Sequence, residues 1–195
     1  MNGRKIRASG QFSERRKLRN ERKAALLQAD GYVVERGGHP NGAYFAFIGN
    51  HQEHEKTVGR IFAENGFSFT LDREGNEKVR IYGRLYTLPS SDGHVEGFSH
   101  EIYGFEKSPS PQKVSDAIKH SRKVFEADRK RTLQSDIAIS IADKGSDCNL
   151  WQIEEGVKEY IRQFTNGEAQ AKPLLYLHVD ETSRSIYRWS IKPKG

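Results

Sequence analysis

The chain has a single cysteine, Cys148, among its 195 residues. One thiol excludes an internal disulfide, and it excludes every metal cluster that needs two or more cysteine ligands. Long hydrophobic runs are also missing, because no apolar stretch approaches the roughly 20 residues that a membrane span needs. The basic N-terminus has no apolar segment behind it, so we expect no secretory signal. These absences favour a protein without a membrane partner, either cytoplasmic or delivered into the cytoplasm of a target cell.

The short motifs of several common enzyme classes are missing as well. The sequence contains no P-loop, no GxGxxG and no HExxH, which are the signatures of nucleotide-binding proteins and zinc proteases. A strict Asp…Glu-x-Lys nuclease motif is also absent, because Tyr103 stands two residues after Glu101. Candidate functional residues must therefore be sought among polar side chains outside these motifs.

Charge is unevenly distributed along the chain. Aromatic residues make up 10% of the sequence, too many for a wholly disordered protein, although charged residues reach 30%. Residues 1–36 hold ten Lys and Arg residues against four Asp and Glu residues, so this segment carries the whole net charge of +6. A basic segment of this kind is typical of phosphate binding, and a solvated basic helix is the alternative.

Two groups of cations are candidates for contact with nucleic acid. The N-terminal group comprises Arg15, Arg16, Lys17 and Arg19. A second basic run follows Pro111, and its candidates are Lys119 and Lys123. A phosphate-binding surface would use such side chains, whereas a solvated helix face would explain them without a ligand.

Alternation and turn residues predict an α+β fold in which a small mixed or antiparallel sheet is packed with helices. A basic, partly disordered helical arm is predicted for residues 1–30, and a single nuclease-like domain for residues 31–195. Helices are expected after Ser13, from His51, after Ser110 and over residues 150–164. The predicted strands are YVVER, AYFAFI, FSFTLD, SDIAISIAD, LLYLHVDE and SIYRWSIK, with VRIYGRLYTL and HVEGFSHEIYGFEKS each predicted as one extended run.

The segment GNHQEHEKTVGRIFAENGF, residues 49–67, predicts a helix that Asn50 caps, with Glu53 completing a capping box. Positions 51, 54, 58, 61 and 62 recur at helical spacing and form one stripe. His51 and His54 therefore point inward at the first turn, where the helix N-terminus favours neutral imidazole. A neutral histidine there is suited to act as a general base. The alternative is a pair of partly buried histidines that only satisfy hydrogen bonds.

A second polar cluster occupies the segment SDGHVEGFSHEIYGFEK, residues 91–107. In a regular strand, Glu101, Tyr103, Phe105 and Lys107 would share one face, and Asp92, His94, Glu96 and His100 the other. Gly97 and Gly104 are the points at which this register would break. A carboxylate, an amine and a histidine close together could perform acid–base chemistry or hold a phosphate. A solvated edge strand with mixed charges is the alternative.

These segments together resemble a group of bacterial toxin nucleases, the C-terminal domains of contact-dependent growth inhibition proteins, with relatives in phage and mobile elements. The resemblance covers roughly residues 37–180. It runs from GGHPNGAYFAFIGNHQEHEKTVGRIFAENGFSFTLDREG through SDGHVEGFSHEI to a Ser-Pro helix and SDIAISIAD. It implies the barnase–EndoU–colicin–RelE type of ribonuclease fold, which cleaves RNA, often tRNA, without a metal. RNA and an immunity or inhibitor protein are the partners that the resemblance implies.

The resemblance also assigns site residues. His51, His54 and Glu55 match the polar start of the family's helix, Asp92 and Gly93 match an Asp-Gly turn, and Glu101 matches the acid of Glu-x-Lys. His54 would be the general base or acid with His51 as its partner. Lys107 would replace the lysine missing at Tyr103 and stabilise the phosphate, and Glu101 would orient one of these groups.

Two further hypotheses stay open. A restriction-endonuclease-like fold would use Asp92 and Glu101 to hold Mg²⁺, whereas the leading hypothesis needs no cofactor. A non-catalytic nucleic-acid-binding or assembly protein on the same fold would need neither chemistry.

Overall fold

A computed structural model describes most of the chain. The described residues are 4–7, 14–73, 76–81, 84–89, 91–96, 98–105, 109–120, 138–143, 155–156, 158–160, 162 and 175–189. The strands are β1 (Arg4–Ile6), β2 (Tyr32–Arg36), β3 (Ala43–Phe47), β4 (Ser68–Leu71), β5 (Asn76–Ile81), β6 (Arg84–Pro89), β7 (Gly93–Val95), β8 (Phe98–Phe105), β9 (Ala138–Asp143), β10 (Leu175–Asp180) and β11 (Ser185–Trp189). Helices are α1 (Glu14–Ala29), α2 (Glu53–Glu64), and residues 111–120, which we call α3. Residues 155–156, 158–160 and 162 are also helical.

Nine strands form one mixed sheet in the order β1-β11-β10-β9-β8-β7-β4-β3-β2. The neighbours β8, β9 and β10 run parallel, as do β3 and β4, while the other neighbours run antiparallel. The predicted α+β class with a mixed sheet is therefore confirmed. β9 lies inside the sheet between β8 and β10, as is typical of a strand with the apolar and small residues of SDIAISIAD.

The run VRIYGRLYTL is not one strand, contrary to the sequence prediction. It is divided between β5 and β6, which pair antiparallel as a hairpin in a separate two-stranded sheet. Tyr82 and Gly83 fall between the two strands and lie outside the described residues. A glycine in the middle of an alternating run favours a chain reversal, which is why alternation alone misjudged this segment.

Helix α2 covers one face of the sheet and forms the core with it. Its Val58, Ile61 and Phe62 are fully buried, and the Phe62 ring stacks on Phe69 of β4 with centroids 5.3 Å apart. Because Tyr44 of β3 contacts Gly59 of α2, Tyr44 also points to this face, which we call the α2 face. The predicted inward stripe of this helix is confirmed.

The start of α2 differs from the prediction. The helix begins at Glu53 with Gln52 as its N-cap, so Asn50 does not cap it. Gln52 is extended, and its backbone N–H donates to Glu55 Oε2 at 2.9 Å within a capping box that joins these two residues. The box therefore lies two residues later than expected, and His51 precedes the helix instead of starting it.

Helix α1 lies on the opposite face of the sheet, which we call the α1 face. Its Lys23 Nζ stands 4.9 Å from the ring centroid of Phe45, and Phe45 alternates with Tyr44 in β3. Of the sixteen residues of α1, all of them described, none is buried. The helix is thus attached mainly through polar side chains. No strand was predicted before α1, yet β1 precedes it and pairs with β11.

The C-terminal elements follow the sequence patterns closely. Ser110 Oγ accepts a hydrogen bond from the Lys113 backbone N–H at 3.3 Å, so Ser110 caps α3 as predicted. Val114 and Ile118 of α3 are fully buried. β10 and β11, which were both predicted as strands, pair with each other in antiparallel orientation. Among the described residues, no helix is long and apolar enough to cross a membrane.

Candidate functional site

The structure places His51 and His54 on the α2 face, deep against the sheet. They are 7% and 9% exposed. The His54 ring packs on the backbone of β8, because a Cβ added to Gly104 would lie only 2.6 Å from His54 Cδ2. His51 Nδ1 lies 4.0 Å from Glu55 Oε2, which is too long for a hydrogen bond. Substrate has little access to either imidazole in this conformation.

His100 is the third histidine on the α2 face. It is fully buried, and its ring meets the rings of Phe62 and Phe69 edge to face, with centroids 5.4 Å and 6.1 Å away. Desolvation, with a smaller contribution from His94, lowers the pKa of His100 to about 3. The ring is therefore neutral at physiological pH and belongs to the hydrophobic core.

The segment around Glu96 does not keep the strand register that the sequence predicted. Glu96 adopts a left-handed backbone with φ 52°, and the chain reverses there between the antiparallel strands β7 and β8. Asp92, His94, Glu96 and His100 therefore do not share one face. Gly93 pairs with His100 on the α2 face, whereas His94 points to the α1 face.

His94 forms a dyad with Asp72 on the α1 face. The Nδ1 atom of His94 hydrogen-bonds to Asp72 Oδ2, and the Tyr32 hydroxyl donates to Asp72 Oδ1 at 3.4 Å. The His94 side chain is 33% exposed, more than either histidine favoured by the sequence analysis. A carboxylate at Nδ1 keeps the proton of a neutral imidazole on that atom, so the lone pair lies on Nε2. This is the tautomer that a general base needs.

Two further acidic residues, Asp92 and Glu101, follow Asp72 on neighbouring strands. Continuing the pairings of β7 beyond Gly93 brings Asp92 opposite Asp72 on one side and opposite Glu101 on the other. The Asp92 backbone N–H donates to Glu101 Oε1 at 3.2 Å, and Asp92 Oδ2 accepts from the Ile102 backbone N–H at 2.6 Å. The structure thus joins Glu101 to the backbone of Asp92, and a role for their carboxylates in holding Mg²⁺ stays a prediction.

Lys23 of α1 reaches the same face of the sheet. Its Nζ donates to Thr70 Oγ1 at 2.6 Å, and Thr70 stands directly opposite His94 in the β4–β7 pairing. Burial lowers the pKa of Lys23, while the nearby carboxylates of Asp72 and Glu96 partly oppose that change. The ammonium group and the imidazole therefore flank one threonine.

Arg16 and Arg19 bind the carboxylate of Glu96. Arg16 Nη2 donates to Oε1, and Arg19 Nη2 donates to Oε2 at 2.8 Å. The backbone N–H of Ser68 also donates to Glu96 Oε1 at 2.8 Å. Of the four N-terminal cations predicted to contact nucleic acid, these two are engaged within the protein, whereas Arg15 and Lys17 are exposed.

Helix α3 contacts the α1 face of the sheet at strand β8. Its His120 ring meets the Tyr103 ring at 6.4 Å, and Tyr103 alternates with Gly104, so it points away from α2. His94 of β7 and Tyr103 of the neighbouring strand β8 thus lie on the same face of the sheet. Lys119 of α3 is exposed. Lys107 and Lys123 lie outside the described residues, so their predicted roles stay predictions.

Within the part of the chain that the structure describes, no group of three or more His, Cys, Asp or Glu side chains is arranged to hold a metal ion. Comparison of the chain with protein-family models, with curated proteins and with solved structures gives no match. The interpretation of this site therefore depends on its own geometry.

Sequence reasoning found only part of this site. It identified His94, Asp92 and Glu101 as members of one polar segment, but it did not pair His94 with Asp72. The signal for Asp72 was present, since a carboxylate that directly follows a buried strand lies at the end of the sheet. No sequence signal showed that Lys23 would reach Thr70, because those residues are 47 positions apart.

Proposed function

We propose that the protein binds RNA and cleaves it by acid–base chemistry at the His94–Asp72 dyad. The observation that supports this most is the partly exposed imidazole, bonded to a carboxylate and placed beside a cationic helix. The sequence resemblance to toxin ribonucleases implies the same reaction, but it assigns the catalysis to His51 and His54. The catalytic roles predicted for His51 and His54 stay predictions, and their burial makes His94 the better candidate.

RNA suits this site because its 2′-hydroxyl is a built-in nucleophile. In the proposed reaction, Nε2 of His94 takes the proton from the 2′-hydroxyl, and the 2′-oxygen attacks the adjacent phosphorus. The bond from phosphorus to the 5′-oxygen then breaks, leaving a 2′,3′-cyclic phosphate. Asp72 stabilises the imidazolium that forms and keeps the ring in its productive tautomer, as the aspartate of a catalytic triad does.

Lys23 is the proposed donor of the second proton. The 5′-oxygen needs a proton as it leaves, and an ammonium group with a lowered pKa gives one up more readily than an ordinary lysine. Its position across Thr70 from His94 separates the acid from the base, as cleavage of a bond between them requires. The same positive charge would stabilise the phosphate during the reaction.

The exposed cations would hold the rest of the RNA. Arg15 and Lys17 are exposed on α1, and Lys119 is exposed on α3. Contacts of this kind to phosphates give affinity without sequence preference and weaken as salt is added.

The test is incubation of the purified full-length chain with total tRNA in EDTA and, separately, in Mg²⁺. We expect cleavage in EDTA that His94→Gln abolishes and that the exposed-histidine control His120→Gln retains. Cleavage that needs Mg²⁺ and is lost in Glu101→Gln would support the magnesium alternative at Asp92 and Glu101. A salt-sensitive gel shift without cleavage would support the non-catalytic binder.

A further inference from the structure

We propose that Arg16, Arg19 and the backbone N–H of Ser68 form a binding site for an RNA phosphate, which the Glu96 carboxylate occupies when no RNA is bound. Three donors converge there on the two oxygens of one anion. A phosphate oxygen can replace a carboxylate oxygen at each donor, and guanidinium groups bind both anions in the same forked manner. The inference rests on the proposed function, since it names a neighbouring subsite of the same site.

The position of Glu96 supports a phosphate subsite rather than a purely structural ion pair. Glu96 stands two residues after His94, at the turn that follows β7. Glu96 and Asp72, the partner of His94, both lie near enough to Lys23 to oppose the lowering of its pKa by burial, so the two carboxylates neighbour the same ammonium group. An RNA with one phosphate at His94 would therefore bring the next one near the carboxylate of Glu96.

The surroundings of Glu96 explain how a phosphate can displace its carboxylate from the two arginines. Arg19 is 59% exposed, so solvent and solutes reach this ion pair. Glu96 has a left-handed backbone at φ 52°, which is unfavourable for a residue with a Cβ, and the bonds to its carboxylate offset that cost. An RNA phosphodiester carries one negative charge, as the carboxylate does, and it can take over the arginines because α1 has no buried residue that fixes them in place.

The test is binding of a fluorescent DNA oligonucleotide, which cannot be cleaved through a 2′-hydroxyl, measured by anisotropy on the full chain. Glu96→Gln removes the competing charge and should tighten binding about three- to tenfold. In the Arg16→Ala/Arg19→Ala background this gain should disappear. The control pair Arg15→Ala/Lys17→Ala removes the same charge from exposed positions of α1, so it should weaken binding but keep the gain.

A gain that persists without Arg16 and Arg19 would overturn the inference, because it would reflect net charge alone. If Glu96→Gln does not fold, the wild-type protein supplies the test instead. Titration with inorganic phosphate should then shift the NMR signal of the Ser68 amide in the wild type but not in Arg16→Ala/Arg19→Ala, and an unmoved signal would overturn the inference. Both measurements use ligands that cannot be cleaved through a 2′-hydroxyl, so failure of this subsite is distinguishable from failure of the proposed catalysis.

Discussion

Burial of neutral His100 should make the stability of the protein strongly dependent on pH. The ring is fully buried, and its pKa is lowered to about 3 from an ordinary value of 6.5. In the unfolded chain the ring takes up a proton near pH 6.5, whereas in the folded protein it stays neutral down to about pH 3. The contribution of neutral His100 to the free energy of unfolding is therefore fully present above pH 6.5. It is lost as the pH falls from 6.5 towards 3.

The expected magnitude follows from the two pKa values. A shift of one unit corresponds to about 1.4 kcal/mol, so the full effect is on the order of 5 kcal/mol. Between about pH 7.5 and about pH 4.5 the loss should be about 3 kcal/mol, because the lower pH lies two units below the unfolded pKa. Carboxylates also titrate in this range, so the contribution of His100 must be isolated by comparison with variants.

Urea unfolding at the two pH values provides the measurement. His100→Leu keeps an apolar group against Phe62 and Phe69 but cannot be protonated, so its loss of stability should be smaller than that of wild type by about 2–3 kcal/mol. Phe62→Leu is the matched control, because it weakens the same core and keeps His100. The free energy of unfolding of Phe62→Leu should be lower than that of wild type by a similar amount at both pH values. Equal pH dependence in His100→Leu and wild type would refute the reasoning.

Two further predictions concern packing and catalysis. Gly42→Ala should lower the free energy of unfolding by about 1–3 kcal/mol, because its Cβ would lie 1.8 Å from the Ala63 carbonyl oxygen. Gly38→Ala is the control, since nothing lies within 4 Å of its Cβ, and equal urea midpoints for the two variants would contradict this account. Asp72→Asn should reduce single-turnover RNA cleavage by about 10²–10⁴-fold through the wrong tautomer of His94, while oligonucleotide binding stays within about twofold of wild type. An unchanged rate would exclude the dyad.

Local sequence patterns predicted most elements of the fold, because they depend on residues close together in the chain. Ser110 and Pro111 marked the start of α3, and the apolar run around Ile139 marked a central strand. The turn at Glu96 was not predicted at its exact position, because a left-handed backbone usually requires glycine and the chain places it one residue before Gly97. Because the chain turns there, His94 in β7 and His100 in β8 lie on opposite faces of the sheet.

The candidate site depends on contacts between distant segments, which local patterns do not contain. Asp72 and His94 are 22 positions apart, and Lys23 and Thr70 are 47 positions apart. The basic N-terminal helix was predicted, but no local pattern showed that its Lys23 would contact Thr70 and Phe45 of the sheet. Only the pairing of β4 with β7 shows which polar groups meet.

Chemical rescue of His94→Ala tests the central claim most directly. The substitution leaves a cavity where the imidazole stood, and free imidazole added to the solution can act there as the missing base. In EDTA, we expect His94→Ala to lose RNA cleavage and to regain part of it as imidazole is added, with 2′,3′-cyclic phosphate ends on the product. A His94→Ala protein that cleaves RNA as fast as wild type without imidazole would contradict the account.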